Sequence, residues 1–165
     1  KAPSPNLSLE GRGISEGEVR KEAKQSPSIA LPLTAHIPEG YCLPINTRLS
    51  LYRRLAAIER FEEIEDIAQE LRDRFGTLPQ PVKNLLYMVK IKVLAARTGV
   101  QSIFTQGKQV VLNLAQGGRM VNLASLPEHQ DAIKVGIRQV RLDTKRLGNK
   151  WQEELEKLLA GWVFP

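Results

Sequence analysis

Apolar residues recur every three or four positions in three consecutive stretches, the spacing that places them on one face of a helix. The pattern predicts helices over about 46–58, 62–75 and 79–98. Gly76 and Gly99 follow the second and third stretches, where glycine commonly ends a helix in the left-handed conformation. We therefore expect three successive helices with short connections.

The residues at the helix starts predict how each helix begins. Asn46 is a suitable N-cap for the first helix, and Pro79 and Pro81 suit the first turn of the third. Near the C-terminus, Asn149 followed three residues later by Gln152 resembles a capping box. This pair predicts a last helix with four apolar residues on its buried face: Trp151, Leu155, Leu158 and Leu159.

Strict alternation of apolar residues over 29–37 predicts a strand with one buried face. Pro32 cannot donate to a neighbouring strand, so this strand is expected at a sheet edge. Residues 100–114 predict two short strands around a tight turn at Gly107-Lys108. The sequence thus changes from helical to strand spacing after the third helix.

The segment after these strands is less clearly patterned. Residues 119–123 and 137–143 are further candidate strands, and an amphipathic helix between 126 and 135 is an alternative. The predicted class is α+β: a three-helix N-terminal half packed with a small, mainly antiparallel sheet and a C-terminal helix. The helical part covers about 45–99 and the small α/β part about 100–165.

Residues 1–26 are rich in Pro, Gly, Ser and charge and predict a flexible linker, which leaves 27–165 as one domain. The chain begins with Lys1, so we interpret it as a piece of a longer protein. No leader or membrane-spanning run is evident, and a single cysteine, Cys42, suits a reducing cytoplasm. A cytoplasmic location without membrane contact is therefore expected.

The net charge of +6 raises the possibility of nucleic-acid binding, but its distribution weakens that interpretation. Basic residues exceed acidic ones by only one, two and three in residues 1–25, 26–100 and 101–165. Aromatic residues, which could stack on bases, make up only 5% of the chain. Composition alone therefore does not favour a nucleic-acid-binding protein.

Reactive groups do not occur in combinations that would indicate an enzyme. Gly107-Lys108 is not part of a complete phosphate-binding loop, because Ser102 and Gln109 occupy positions that the motif gives to glycine and to serine or threonine. His36, His129 and Cys42 are too few for a structural zinc site. We expect no catalytic residue, no metal site and no cofactor in this segment.

Four acids on the second predicted helix are the stronger candidates for a functional site. Glu63, Asp66, Glu70 and Asp73 are spaced three, four and three apart, which places them within about 80° of one another on the helix surface. The apolar stripe of the same helix is centred about 130° away, so these acids can flank the buried face and still reach solvent. A solvated face and a partner-binding surface both fit this geometry.

A basic stripe on the third predicted helix supports an alternative. Lys83, Lys90 and Arg97 recur every seven residues and could contact phosphates or an acidic partner, together with three C-terminal bases: Lys145, Arg146 and Lys150. The alternative without a binding role is an ordinary basic outer face on a surface helix, because three charges give only a weak electrostatic footprint.

Two stretches, "IPEGYCLPINTRLSLYRRLAAI" (37–58) and "ELRDRFGTLPQPVKNLL" (70–86), carry a family resemblance. In this order they resemble the C-terminal domain of the bacterial transcription-repair coupling factors, the TRCF family. The resemblance covers about 35–103, and beyond Phe104 it is looser and depends mainly on a small α/β layout. Residues 1–26 would then connect the domain to a preceding motor domain.

The resemblance implies a regulatory role. Full-length members of the family are ATP-driven DNA translocases, with ATP and Mg in the motor, that displace stalled RNA polymerase and recruit the repair protein UvrA. Their C-terminal domain is non-catalytic, packs on the N-terminal UvrB-like module of the same protein and covers its UvrA-binding surface. The acids just before Arg-Phe-Gly face that module, and by motif position these are Glu70 and Asp73; Glu63 and Asp66 extend the surface by helical geometry.

Overall fold

The described secondary structure follows the predicted order, with an additional strand at 133–135 and a short helix at 144–147 that the sequence did not predict. A computed structural model of the chain describes residues 26–115 and 130–161. Its strands are β1 (Ser28–Ala30), β2 (Val100–Gln106), β3 (Gln109–Leu114), β4 (Ile133–Val135) and β5 (Gln139–Asp143). Its α-helices are α1 (Ile45–Ala56), α2 (Phe61–Phe75), α3 (Gln80–Thr98), α4 (Thr144–Leu147) and α5 (Trp151–Ala160). Short 3-10 turns cover Gln130–Ala132 and Gly148–Lys150.

The five strands form one sheet in the order β1-β2-β3-β5-β4. Strand β1 runs parallel to β2, and every other neighbouring pair is antiparallel. The parallel connection from β1 to β2 carries α1, α2 and α3. This architecture confirms the α+β class, with three helices before a mainly antiparallel sheet and a helix at the C-terminal end.

Helix α3 is buried on two opposite faces. One face carries Val82, Leu86, Val89 and Val93, which pack with α1 and α2. The other carries Ile91, Leu94 and Ala95, which pack with the sheet and α5. At 100° per residue the two faces are about 160° apart. Helical spacing in the sequence predicts only the first face, through Val82, Leu85, Leu86, Val89 and Val93.

The two faces of α3 separate two hydrophobic clusters. The helix-side cluster includes Leu51 and Leu55 of α1 and Ile67 and Leu71 of α2, all at most 5% exposed. The sheet-side cluster contains the inward residues of the strands and of α5: Val100, Ile103, Val110, Leu112, Leu114, Ile133, Val140, Leu142, Leu155, Leu158 and Leu159. Both clusters therefore depend on α3.

Polar contacts fix α5 against α3. The Tyr87 hydroxyl donates to the Gln152 carbonyl at 2.8 Å, and Lys90 forms an ion pair with Glu156. Burial raises the pKa of Tyr87, so the phenol stays protonated and remains a donor at neutral pH.

The first strand is at the sheet edge, as predicted, but it is shorter than expected and ends before Pro32. It ends at Ala30 because the following backbone turns: Leu33 N–H donates to the Leu31 carbonyl at 2.8 Å. The chain then bonds to the start of α3, where Asn84 donates to the Thr34 carbonyl at 2.9 Å. Alternate residues through position 37 remain buried or half-buried, although no ladder continues there.

Both helix caps predicted from asparagine are wrong. Helix α1 begins at Ile45 after Pro44, whose φ of −70° already suits the helix, and Asn46 lies inside the first turn. Asn149 lies in a 3-10 turn between α4 and α5, so no helix starts there. Asp143 caps the preceding helix, α4, where its carboxylate accepts the Lys145 N–H at 2.9 Å.

Gly76 and Gly99 both end their helices, but only Gly99 adopts the left-handed helical conformation that the sequence predicted. Gly99 ends α3 in the left-handed conformation with φ 76° and ψ 18°. Gly76 ends α2 with φ 90° and ψ −162°, a region that is essentially restricted to glycine. Gly107 has φ 61°, as a tight hairpin between β2 and β3 requires.

The C-terminal alternatives are resolved where the structure describes the chain. Strand β5 confirms the candidate at 137–143, starting at Gln139. A helix reaching 135 is wrong, because Ile133–Val135 pairs with β5. The candidate strand at 119–123, the proposed linker at 1–26 except Ser26, and His129 lie outside the described residues.

We expect Ile91→Ala to lower the free energy of unfolding by about 2–5 kcal/mol, because the side chain is fully buried on the sheet side of α3. Urea unfolding followed by circular dichroism and by the reactivity of the buried Cys42 thiol would measure it. Both probes should shift together, because the clusters share α3. The exposed Lys83→Ala should change stability by less than about 0.5 kcal/mol. A change in the unfolding midpoint seen by one probe alone would contradict the claim that α3 couples the two clusters.

Candidate functional site

Glu70, the first acid implied by the family resemblance, connects α2 to α1. Arg54 of α1 donates to both carboxylate oxygens, at 3.0 and 2.6 Å, and Arg74 donates to one of them at 2.8 Å. The Glu70 side chain is 29% exposed, and the two arginines are about half-exposed. A single carboxylate is therefore shared by two guanidinium groups.

This arrangement controls the protonation of Glu70. Hydrogen bonds from Arg54 and Arg74 to the charged form lower the pKa of Glu70 from 4.5 to about 2. Glu70 is therefore ionised at neutral pH, but its charge is largely balanced within the domain. A cation from a partner would compete with Arg54 and Arg74 for it.

The C-terminal end of α2 is fixed by an aromatic pair. The Arg74 guanidinium lies over the Phe75 ring at 5.0 Å, and the Phe75 and Tyr41 ring centroids are 5.6 Å apart. The Tyr41 hydroxyl lies 3.0 Å from the Leu71 carbonyl and 2.8 Å from the Gly76 carbonyl, so it can donate to either. These contacts hold the segment that carries Glu70 and Asp73 in place.

Further ion pairs engage other acids of α2. Arg60 donates to Glu63 at 2.9 Å, and Arg72 donates to Glu65 at 2.6 Å. Glu63, the first member of the predicted stripe along the chain, is thus paired within the domain. Helix α2 contains acids in two situations: those paired with arginine and those facing solvent.

The solvent-facing acids form a straighter stripe than the predicted one. Glu62, Asp66 and Asp73 are exposed, and their spacing of four and seven places them within about 40° of one another. Gln69 is exposed in the same stripe and donates to Asp73 at 2.9 Å. Among the described residues, none of these three acids forms an ion pair within 4 Å. We refer to Glu62, Asp66 and Asp73 as the acidic stripe.

Sequence reasoning missed Glu62 in this stripe. The spacing of Glu62, Asp66 and Asp73 was visible in the sequence, but nothing local distinguished it from the neighbouring series through Glu63 and Glu70. The distinguishing fact is tertiary, because Glu70 pairs with Arg54, which lies 16 positions earlier on another helix.

The basic stripe is only partly available to a ligand. Lys83 is exposed, whereas Lys90 is paired with Glu156 and Arg97 lies over the Phe61 ring at 4.5 Å. Of the C-terminal bases, Lys145 and Lys150 are exposed, and Arg146 donates to the Asp131 carbonyl at 3.1 Å. These contacts reduce the number of cations free to bind phosphate.

The residues considered for other chemistry are dispersed. Cys42 is fully buried with a free thiol, and His36 is exposed. Within 26–115 and 130–161, no three His, Cys, Asp or Glu side chains are grouped to hold a metal ion. In the same ranges, no helix has the length and apolar character needed to cross a membrane.

We expect Glu70→Gln to lower the free energy of unfolding by about 1 kcal/mol at pH 7, because it removes a partly exposed carboxylate bonded to two arginines. The lowered pKa means that this contribution is complete above about pH 4.5 and is lost as the pH falls toward 2. Urea titrations of both proteins at pH 7, 4 and 2.5 would measure a difference that shrinks with acidity.

Asp73→Asn is the control for that experiment, because Asp73 is exposed and should change stability by less than about 0.5 kcal/mol. Equal stability of Glu70→Gln and the original chain at pH 7 would show that the two arginines do not stabilise the fold through Glu70.

Comparison with known proteins places these residues in a family. The model of the TRCF domain matches residues 31–124, which include α1, α2 and α3. A transcription-repair-coupling factor of Staphylococcus haemolyticus is 30% identical over 158 residues, which cover 91% of this chain and 13% of that protein. The corresponding Escherichia coli protein is 33% identical over 92 residues, which cover 56% of this chain and 8% of that protein. The chain thus spans only about an eighth of the first of these relatives.

A crystal structure of the C-terminal domain of a transcription-repair coupling factor has the same fold. It matches with a TM-score of 0.68 at 21% identity, covering 82% of this chain and 89% of that one. The chain belongs to the TRCF domain family, and its fold is that of the C-terminal domain of a transcription-repair coupling factor.

Proposed function

We propose that this chain is a non-catalytic regulatory domain that packs on the N-terminal UvrB-like module of its parent protein and masks the surface that binds UvrA. The observation that carries the proposal is the acidic stripe on α2, exposed on a helix that ion pairs and aromatic contacts hold in place. Family membership supports the assignment of this surface to a module of the same protein.

The acidic stripe can act through charge-assisted hydrogen bonds. Arginine or lysine side chains on the partner would each contribute about 0.5–3 kcal/mol, and salt would weaken them. A contact of this strength holds two modules together and still releases them when a competing partner binds. A switch needs such a modest difference between its two states.

Within this surface, Asp66 and Asp73 are proposed as direct contacts, because both are exposed on the same face of α2. Glu62 extends that face toward the start of the helix. Glu70 and Glu63 are proposed at its margin, where Arg54, Arg74 and Arg60 already engage them. A partner arginine could share the Glu70 carboxylate only by displacing one of its two present donors.

The parent is proposed to be an ATP-dependent DNA translocase, with ATP and Mg in its motor, that displaces stalled RNA polymerase and recruits nucleotide-excision repair. The domain would then contact UvrA, RNA polymerase and DNA only indirectly. In this role it needs a specific surface and a stable fold, and no reacting group of its own.

We expect Asp66→Lys with Asp73→Lys to reduce binding of the domain to the UvrB-like module at least tenfold, because attraction becomes repulsion at two positions on the same face of α2. Isothermal titration at 50 and 200 mM salt would measure the affinity, and circular dichroism would check the fold. The original domain should bind less tightly at the higher salt concentration.

Glu39→Lys with Glu153→Lys is the matched control. Both residues are exposed acids outside α2, so the net charge changes equally while the acidic stripe stays intact. The control should bind like the original domain. Unchanged affinity of the Asp66 and Asp73 variant would refute the proposed interface, and an equal loss in both variants would show that only net charge matters.

A further inference from the structure

An apolar patch lies at the start of α1. Leu43, Ile45 and Leu49 are 75%, 60% and 47% exposed, although each is a large apolar residue. In the parts of the chain that the structure describes, the other large apolar residue of this kind is Ile137, at 92%, in the turn between β4 and β5. Three of the four are therefore gathered within seven consecutive positions.

The patch is held in a defined shape. Ile45 and Leu49 are separated by one helical turn, so their side chains are neighbours on the helix surface. Arg48 donates to the Cys42 and Leu43 carbonyls at 2.6 and 2.9 Å, which fixes the backbone that carries Leu43. Pro44 lies between Leu43 and Ile45, and its ring restricts its own φ, which is −70°. A preorganised apolar surface loses little conformational entropy when a partner covers it.

The patch faces away from α2. On the surface of α1, Ile45 and Leu49 are centred about 160° from Arg54, which reaches across to Glu70. They are about 120° from Leu51 and Leu55, which are buried in the helix-side cluster. A partner bound at the acidic stripe is therefore on another side of α1, and the patch is a separate contact surface.

A cation at the margin of the patch indicates the character of its partner. Arg53 follows Leu49 by four residues and is exposed. Within the described ranges its guanidinium has no hydrogen bond or ion pair. An apolar surface beside an unpaired guanidinium fits an apolar segment that carries a carboxylate at its edge.

The size of the patch argues against a second copy of this chain. Three partly exposed side chains provide roughly a few hundred Å², whereas a stable interface needs about 800 Å² from each partner. A small patch is sufficient when the partner belongs to the same polypeptide, because the effective concentration is then high. Family relatives have most of their length outside this domain, since the match covers 13% of the Staphylococcus haemolyticus protein.

We propose that Leu43, Ile45 and Leu49 form a second docking surface, which takes an apolar, acid-flanked segment from another module of the parent polypeptide. This contact is separate from the acidic stripe and does not require that the acidic stripe bind a partner. It gives the domain two attachments of different chemistry on two sides of α1.

Labelling at Leu49 tests the proposal in the intact parent. Leu49→Cys introduces a thiol in the patch, while Cys42 is fully buried. We expect maleimide to label position 49 at least tenfold more slowly in the intact parent than in this chain alone, measured by peptide mass spectrometry. Ile137→Cys is the matched control and should be labelled at the same rate in both proteins. Equal rates at position 49 would overturn the proposal.

The same labelling separates the possible occupants. Slower labelling of this chain alone as its concentration rises would identify a second copy as the occupant and would also overturn the proposal. Adding Asp66→Lys and Asp73→Lys to the intact parent should leave position 49 protected at least fivefold, because the patch binds independently. Failure of the acidic-stripe proposal would leave the protection of position 49 intact, so the two failures are distinguishable.

Discussion

The burial of both faces of α3 is the constraint on which the rest of the structure depends. A helix with apolar residues about 160° apart cannot satisfy both faces against one layer, so it must lie between two. On one side the layer is α1 and α2, and on the other it is the sheet with α5. The helical part and the small α/β part consequently share one helix, α3. A change in the core of either part reaches the other through α3.

This constraint also determines the candidate site. Helix α2 packs on α3 through Ile67, Ala68 and Leu71, so its opposite face is left to solvent. Glu70, on the flank toward α1, pairs with Arg54, whereas Asp66 and Asp73 form no ion pair within 4 Å among the described residues. Ion pairs within the domain thus divide the acids of α2 into those that pair with arginine and those that remain open to a partner. Charge counts along α2 would assign the same role to all of them.

Much of the fold was readable from local pattern, because helix periodicity, glycine stops and the Gly107 turn are properties of neighbouring residues. The α3 face formed by Ile91, Leu94 and Ala95 was missed because a helix buried on two opposite faces has little amphipathic contrast. The caps at Asn46 and Asn149 failed because Pro44 and a 3-10 turn decide those starts. The four acids of the predicted stripe do lie on α2, but the pairing of Glu70 was not predictable, since Arg54 approaches only after α1 and α2 pack together.

The two proposed contacts would respond differently to their surroundings, and this difference would be useful if the proposed regulatory role is right. An acidic contact weakens as salt or a competing cation screens it, whereas an apolar contact is largely insensitive to ionic strength. If both hold the domain, loss of the acidic contact alone would release one side while Leu43, Ile45 and Leu49 keep the domain attached. The domain would then rotate about the contact made by the start of α1 and would not dissociate fully. Rebinding stays fast because the domain remains at high effective concentration.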